Sequence, residues 1–169
     1  MIIRKLEPGE GAIFGQIRVE ALRTNPESFA AEAADYDQFS EKDWEPILTS
    51  RTAFVAFDSE RPVALASIVG FGLSRLAHRA EVSNVFVSPD YRGTGLSARL
   101  WDAVENYARS QGIQQLELAV NAENTAALRF YERRGYRKIG TIPHGFRHGG
   151  RYFDEHLLVR QISPLADPS

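Results

Sequence analysis

Two periodicities, one of about four residues and one of two, alternate along this chain, and the switches between them mark its elements. Ile2, Ile3 and Leu6 open it as a short strand over 1–6. Ile13, Ile17 and Ala21 then recur at four-residue spacing, which predicts a helix with one apolar face. Asn25-Pro26 ends that helix, since the residue before a proline resists the α region. Residues 26–39 follow neither period and read as irregular, with Phe29, Tyr36 and Phe39 exposed for some use. Ser40-Glu41-Lys42-Asp43 predicts a second helix start, a capping box with Asp where Glu is usual. Apolar runs at 53–57 and 62–71, separated by Asp58-Ser59-Glu60-Arg61, predict a hairpin. Residues 79–87 form a third long strand. Leu96, Leu100 and Val104 set a helix over 95–111 that Gly112 stops. The run 116–120 is apolar except for Glu117 and predicts a strand buried on both faces. A helix over 124–134 closes at Gly135, and strands follow at 136–142 and 152–159. The stretch from Ser163, with Pro164 and Pro168, is expected to fray as a disordered tail over 163–169. The order predicts one α/β domain over 1–162: a central mixed, mostly antiparallel twisted sheet of about seven strands, flanked by about four helices.

Composition narrows the functions open to such a domain. At 169 residues the chain suits one core. Twenty Lys and Arg against 22 Asp and Glu give a net charge of −2, without the basic face that nucleic acid requires. There is no cysteine, which removes disulfides, thiolate metal sites and a thiol nucleophile. No apolar run is long enough for a membrane span, and the start lacks the pattern of a signal peptide, so the expected location is the cytoplasm. His144 and His148, with Arg147 and Arg151, fall in a polar loop without metal-ligand spacing; no metal is expected, and the loop reads as a substrate rim or subunit contact.

The most informative segment is Val85-Phe86-Val87-Ser88-Pro89-Asp90-Tyr91-Arg92-Gly93-Thr94-Gly95-Leu96-Ser97. A strand stops, a glycine-containing turn follows, and a helix begins. Glycine lets backbone approach a ligand closely. The helix start presents unpaired N–H groups and a partial positive charge, so the two together suit a phosphate or pyrophosphate. Arg92 can add a charge-assisted contact. By themselves these glycines also fit a plain tight turn. A Walker loop is excluded because no Gly-Lys-Ser/Thr follows, and a dinucleotide fingerprint fails at Ala98. The wider segment resembles the acetyl-CoA-binding motif of the GNAT superfamily, with Val87, Pro89, Tyr91, Arg92, Gly93, Gly95 and Leu100 in matching places and Ser97 at its last small position.

A second segment, Asn121 to Tyr136, is similar to another pattern of that superfamily through Asn124, Ala127, Tyr131 and Gly135-Tyr136. Asn124 begins a helix with an amide that can reach outward. Ala127 and Tyr131 share its face, and the small Ala127 leaves room for a ligand chain. A plain amphipathic helix with Tyr131 in the core is the competing reading. Two motifs in order, with a strand between them, outweigh it.

The resemblance implies an N-acetyltransferase that moves an acetyl group from acetyl-CoA to a primary amine of a small molecule or protein by direct attack. A catalytically silent acyl-CoA-binding or regulatory domain is the alternative. Implied partners are acetyl-CoA and an amine acceptor, with neither nucleic acid nor membrane, and a homodimer left open. The cofactor would be held by Val85, Phe86, Val87, Arg92, Gly93, Thr94, Gly95, Leu96, Ser97, Asn124, Ala127 and Tyr131. The family's features imply that the 79–87 and 116–120 strands splay to admit pantetheine, that backbone N–H groups at 85–87 polarise the thioester carbonyl, and that Tyr131 assists the thiolate. An amine attacks only when neutral, so a base is needed at pH 7. Glu81 is the candidate base, working through water. Strand alternation puts Glu81, Ser83, Val85 and Val87 on one face unless a bulge intervenes. The competing reading pairs Glu81 with Arg79 in a structural ion pair. Arg129 and Arg133 lie on one helix face and could meet CoA phosphates, although a solvated cationic face explains them equally.

Overall fold

The computed structural model describes residues 1–164; of the tail expected over 163–169, residues 165–169 lie outside them. The described residues form an α/β chain, with seven strands in the order β1-β2-β3-β4-β5-β7-β6 and four α-helices. Two compact units divide it: residues 1–69 with 82–107, and residues 70–81 with those from 108 onward.

In the first unit β1 (Ile2–Lys5), β2 (Thr52–Asp58) and β3 (Arg61–Gly70) pair antiparallel, β2 and β3 as the expected hairpin. Helix α1 (Gly11–Thr24) buries Phe14, Ile17, Ala21 and Leu22. Its last bond runs from the Asn25 N–H to the Ala21 carbonyl before Pro26 turns the chain. The segment after it forms 3-10 turns at Pro26–Ser28 and Ala33–Tyr36. The capping box forms with Asp in place of Glu: the Ser40 N–H and hydroxyl both donate to Asp43, at 2.7 and 2.6 Å. A 3-10 turn, Glu41–Asp43, then leads into the short α2 (Trp44–Thr49). The aromatic residues of this segment are less exposed than expected. Phe29 and Tyr36 are half-buried against the α1 core, and Tyr36 packs on Trp44 with centroids 4.8 Å apart. Of the three, only Phe39 is exposed. The reason is Gly15, where a Cβ would lie 2.5 Å from the Trp44 ring, so α1 admits an aromatic layer directly onto its backbone.

Strand β4 (Arg79–Val87) runs through both units. Helix α3 (Leu96–Ser110) follows, and Gly112, with φ 74°, ends it. In the second unit β5 (Gln115–Asn121) pairs parallel with β4 over Arg79–Glu81 against Gln115–Glu117. Helix α4 (Thr125–Arg133) ends at Gly135, with φ 82°. β6 (Arg137–His148) and β7 (Arg151–Gln161) form a hairpin, and β7 also pairs with β5.

Three expectations need correcting here. β5 is not buried on both faces: Leu116, Leu118 and Val120 are buried, whereas Glu117 is half-buried and Ala119 exposed. The small side chain of Ala119 keeps the run apolar without requiring a cover. The polar stretch with His144, Arg147, His148 and Arg151 is not a loop but the far end of the β6–β7 hairpin, turned by Gly149-Gly150 with φ 57° and 77°. Ser163 does not start a free tail, since its N–H donates to the Gln114 carbonyl at 3.3 Å.

Candidate active site

The first unit carries the glycine loop. β4 approaches it through Asn84, whose φ of 55° is unusual for a non-glycine residue inside a strand. Its Nδ2 donates to the fully buried Ser67 Oγ at 3.2 Å. Side-chain alternation breaks there. Ala80 and Val82 are buried on one parity, but Phe86 and Val87 are buried in succession, so Val87 does not stay with Glu81 on an open face.

Beyond β4 the chain is braced before it reaches the glycines. The Ser88 hydroxyl donates to Glu20 at 2.6 Å and its N–H to the Val63 carbonyl at 2.9 Å. The Tyr91 hydroxyl donates to Asp58 at 2.6 Å. Arg92 does more than the sequence showed: its Nε donates to the Val87 carbonyl at 3.0 Å and a terminal nitrogen to Asn25 Oδ1 at 2.5 Å. It therefore ties the loop to β4 and to the end of α1. Thr94 Oγ1 closes the turn onto the Tyr91 carbonyl at 2.7 Å. Gly93 and Gly95 take φ values of 75° and 83°, the left-handed region that favours glycine. A Cβ at either would meet nothing within 4 Å, so the space above the loop is open. Leu96 is buried and anchors the start of α3, while Ser97 is half-buried beside it. The bracing roles of Glu20, Asn25, Asp58 and Ser88 were not expected from the sequence. Their only signal is that each is a polar residue at or near an element end.

The second unit carries Glu81, Asn124, Ala127 and Tyr131. Glu81 is exposed and stands in register with Glu117. Arg79 does not pair with Glu81. It makes a two-pronged contact with Glu117, one prong of 2.9 Å, and lies over the Phe71 ring. That hydrogen-bonded guanidinium, helped by Gln115 and opposed by burial, holds the Glu117 carboxyl below its ordinary pKa. Asn124 is the N-cap of α4, and its Oδ1 accepts from the Ala127 N–H at 3.1 Å, so the amide expected to reach outward turns its oxygen into the helix. Tyr131 is 5% exposed, between Phe130 and Tyr136, with ring centroids 5.4 and 5.7 Å away. Burial raises its pKa well above that of a free phenol. Arg129 and Arg133 are exposed on the outer side of α4.

Comparison with known proteins sets this geometry in context. Residues 16–136 match the model of the acetyltransferase (GNAT) family. An uncharacterized N-acetyltransferase of Methanocaldococcus jannaschii is 33% identical over 87 residues, 50% of this chain and 38% of the relative. An L-methionine sulfoximine/L-methionine sulfone acetyltransferase of Pseudomonas aeruginosa is 30% identical over 81 residues, 48% of this chain and 47% of the relative. The matched stretch thus spans about half the length of such relatives, or less. Among solved structures, a GNAT-family acetyltransferase from Streptococcus pneumoniae aligns with a TM-score of 0.82 at 20% identity, covering 96% of this chain and 99% of that one. A putative acetyltransferase from Salmonella typhimurium, solved with its cofactor acetyl-CoA, aligns at 0.81 and 19% identity, covering 100% of this chain and 98% of that one. At these identities the structural likeness shows the fold.

Proposed function

The chain belongs to the acetyltransferase (GNAT) family, and from that premise we propose that it transfers an acetyl group from acetyl-CoA to a primary amine by direct attack. The observation that carries the reading is the loop from Arg92 to Ser97. Its two glycines hold φ values of 75° and 83° beneath open space, and it opens a 15-residue helix whose first N–H groups suit a pyrophosphate. Arg92 sets the shape of that loop and adds positive charge to it.

In this reading the neutral amine attacks the thioester carbonyl carbon. The oxygen takes up charge that backbone N–H groups of the 85–87 segment stabilise. The carbon–sulfur bond then breaks and CoA leaves as a thiolate. The amine's extra proton goes to Glu81 through water. Exposure of Glu81, and the commitment of Arg79 to Glu117, support its availability as a base. Tyr131 donates to the departing sulfur. Asn124 and Ala127 shape the start of the helix that presents it.

The test separates binding from turnover. Asp and Asn both tolerate the left-handed region and have nearly equal volume, so Gly95→Asp against Gly95→Asn isolates the charge. Calorimetric titration should show CoA affinity at least about tenfold weaker for Asp than for Asn, the effect of roughly 1.4 kcal/mol of repulsion. Equal affinities would place the pyrophosphate elsewhere. Thiol release from acetyl-CoA with a panel of amines then reports catalysis. Binding without any thiol release would leave a silent acyl-CoA-binding domain.

A further inference from the structure

One charged side chain in the first unit is buried without a counter-charge. Arg18 lies on the inner side of α1, is 8% exposed, and its Nη1 has no hydrogen-bond partner. Its guanidinium stacks over the Phe29 ring at 4.7 Å. Burial lowers its pKa; the Tyr36 hydroxyl offsets part of that, and the like charge of Arg51 adds to the cost. Arg51 itself donates from Nε to the Ile47 carbonyl at 3.2 Å, a neutral partner. No carboxylate pairs with either arginine among the described residues. A desolvated guanidinium without a counter-charge is an arrangement that folding alone does not favour. An anion would relieve it.

We propose that Arg18 binds the carboxylate of the acceptor, so that this chain acetylates amines that also carry a carboxyl group, the amino-acid class. The inference rests on the acetyltransferase reading above. The unpartnered Nη1 can donate a charge-assisted hydrogen bond to a carboxylate oxygen. The cover is thin: Phe29 and Tyr36 are half-buried residues of the 3-10 segment after α1. The position is also apt within its unit. Arg18 stands two residues before Glu20, which braces Ser88, and seven before Asn25, which braces Arg92. That places it about 3 and 10 Å along the helix axis from the two anchors of the glycine loop.

The experiment compares the protein with its Arg18→Met and Arg18→Lys variants. The probes are L-amino acids, their carboxamides and the corresponding decarboxylated amines, assayed with saturating acetyl-CoA. In the wild type kcat/KM for the best amino acid should exceed that of its amide by about 10²-fold or more, since a site built for a polar group rejects the analogue lacking it. Arg18→Met should abolish that preference mainly through KM, and Arg18→Lys should recover part of it. CoA affinity should be unchanged in both. The melting temperature of Arg18→Met should equal or exceed the wild-type value, because the substitution removes a buried charge that has no protein partner.

Equal use of acid and amide by the wild type would overturn the proposal, as would a preference that survives Arg18→Met. A fall in CoA affinity would reassign Arg18 to the cofactor's phosphates. A marked loss of thermal stability would reassign it to holding Phe29 and Tyr36. If no amine is acetylated, the transferase reading fails separately. Calorimetric titration of amino acids and their amides in the presence of CoA still decides on Arg18, and absence of acid-selective binding would then reject it.

Discussion

Tyr131 shows how burial reshapes a role assigned by residue type. A phenol buried against Phe130 and Tyr136 is held above its ordinary pKa by desolvation, so it stays protonated across the working pH range. A thiol with a pKa of about 8.5 is the stronger acid of the two, and full proton transfer from Tyr131 to the CoA thiolate is uphill. Its proposed contribution is therefore a hydrogen bond that strengthens as charge builds on sulfur. Tyr131→Phe keeps the ring and removes the donor. The expected outcome is a fall in kcat of about 10- to 100-fold with little change in CoA affinity, the pattern of an interaction made mainly in the transition state. Stopped-flow turnover with acetyl-CoA and with an acetyl thioester of a more acidic thiol checks it, since the second needs less help and should lose less. Equal losses with both donors would assign the hydroxyl to structure.

At the scale of elements, the regular pieces were legible in the sequence because each carries its own punctuation. The β2–β3 hairpin has its polar turn, α3 and α4 have their glycine stops, and the capping box of Ser40 and Asp43 forms even with the shorter acid. What stayed illegible depends on partners distant in sequence. Gly15 gives no local sign that Trp44 will press on it, and Arg18 reads as an ordinary helix charge until Phe29 and Tyr36 close over it. The break in alternation around Asn84 was foreseen as a chance but not placed, because Asn84 meets its hydrogen-bond partner, Ser67, on another strand. The pair of Arg79 on β4 and Glu117 on β5 was likewise hidden, and it makes a testable contribution. Arg79 holds Glu117 below its ordinary pKa, so the ion pair stabilises fully above the unfolded carboxylate value of about 4.3 and is lost as pH falls through the folded value. Glu10, lowered by Arg4, adds in the same direction, whereas Glu155, raised by burial, opposes it. Melting temperatures measured from pH 7 down to pH 3 should therefore show Arg79→Met below the wild type at neutral pH, with the gap closing in the acid range. A gap independent of pH would mean that Arg79 matters through its packing over Phe71 instead.

For the molecule as a whole, the family could be read from the two motifs, but the acceptor could not, because fold and cofactor motifs do not encode the second substrate. What the loop does predict is a linkage between cofactor and global stability. A ligand that binds only the folded state stabilises by RT ln(1 + [L]/Kd), about 2.7 kcal/mol at one hundred times Kd. For a protein of this size each kcal/mol moves the melting temperature by about 2–4 °C, so CoA at that excess should raise it by roughly 5–10 °C. Differential scanning calorimetry across a CoA series should follow the logarithm of concentration. The shift should be smaller for Gly95→Asp than for Gly95→Asn at equal CoA, since only the carboxylate repels the pyrophosphate. Because a silent binder and a transferase give the same shift, this measurement tests the site without presuming the chemistry. A wild-type melting temperature unmoved by CoA would remove the cofactor from the glycine loop, whatever the outcome of an amine screen.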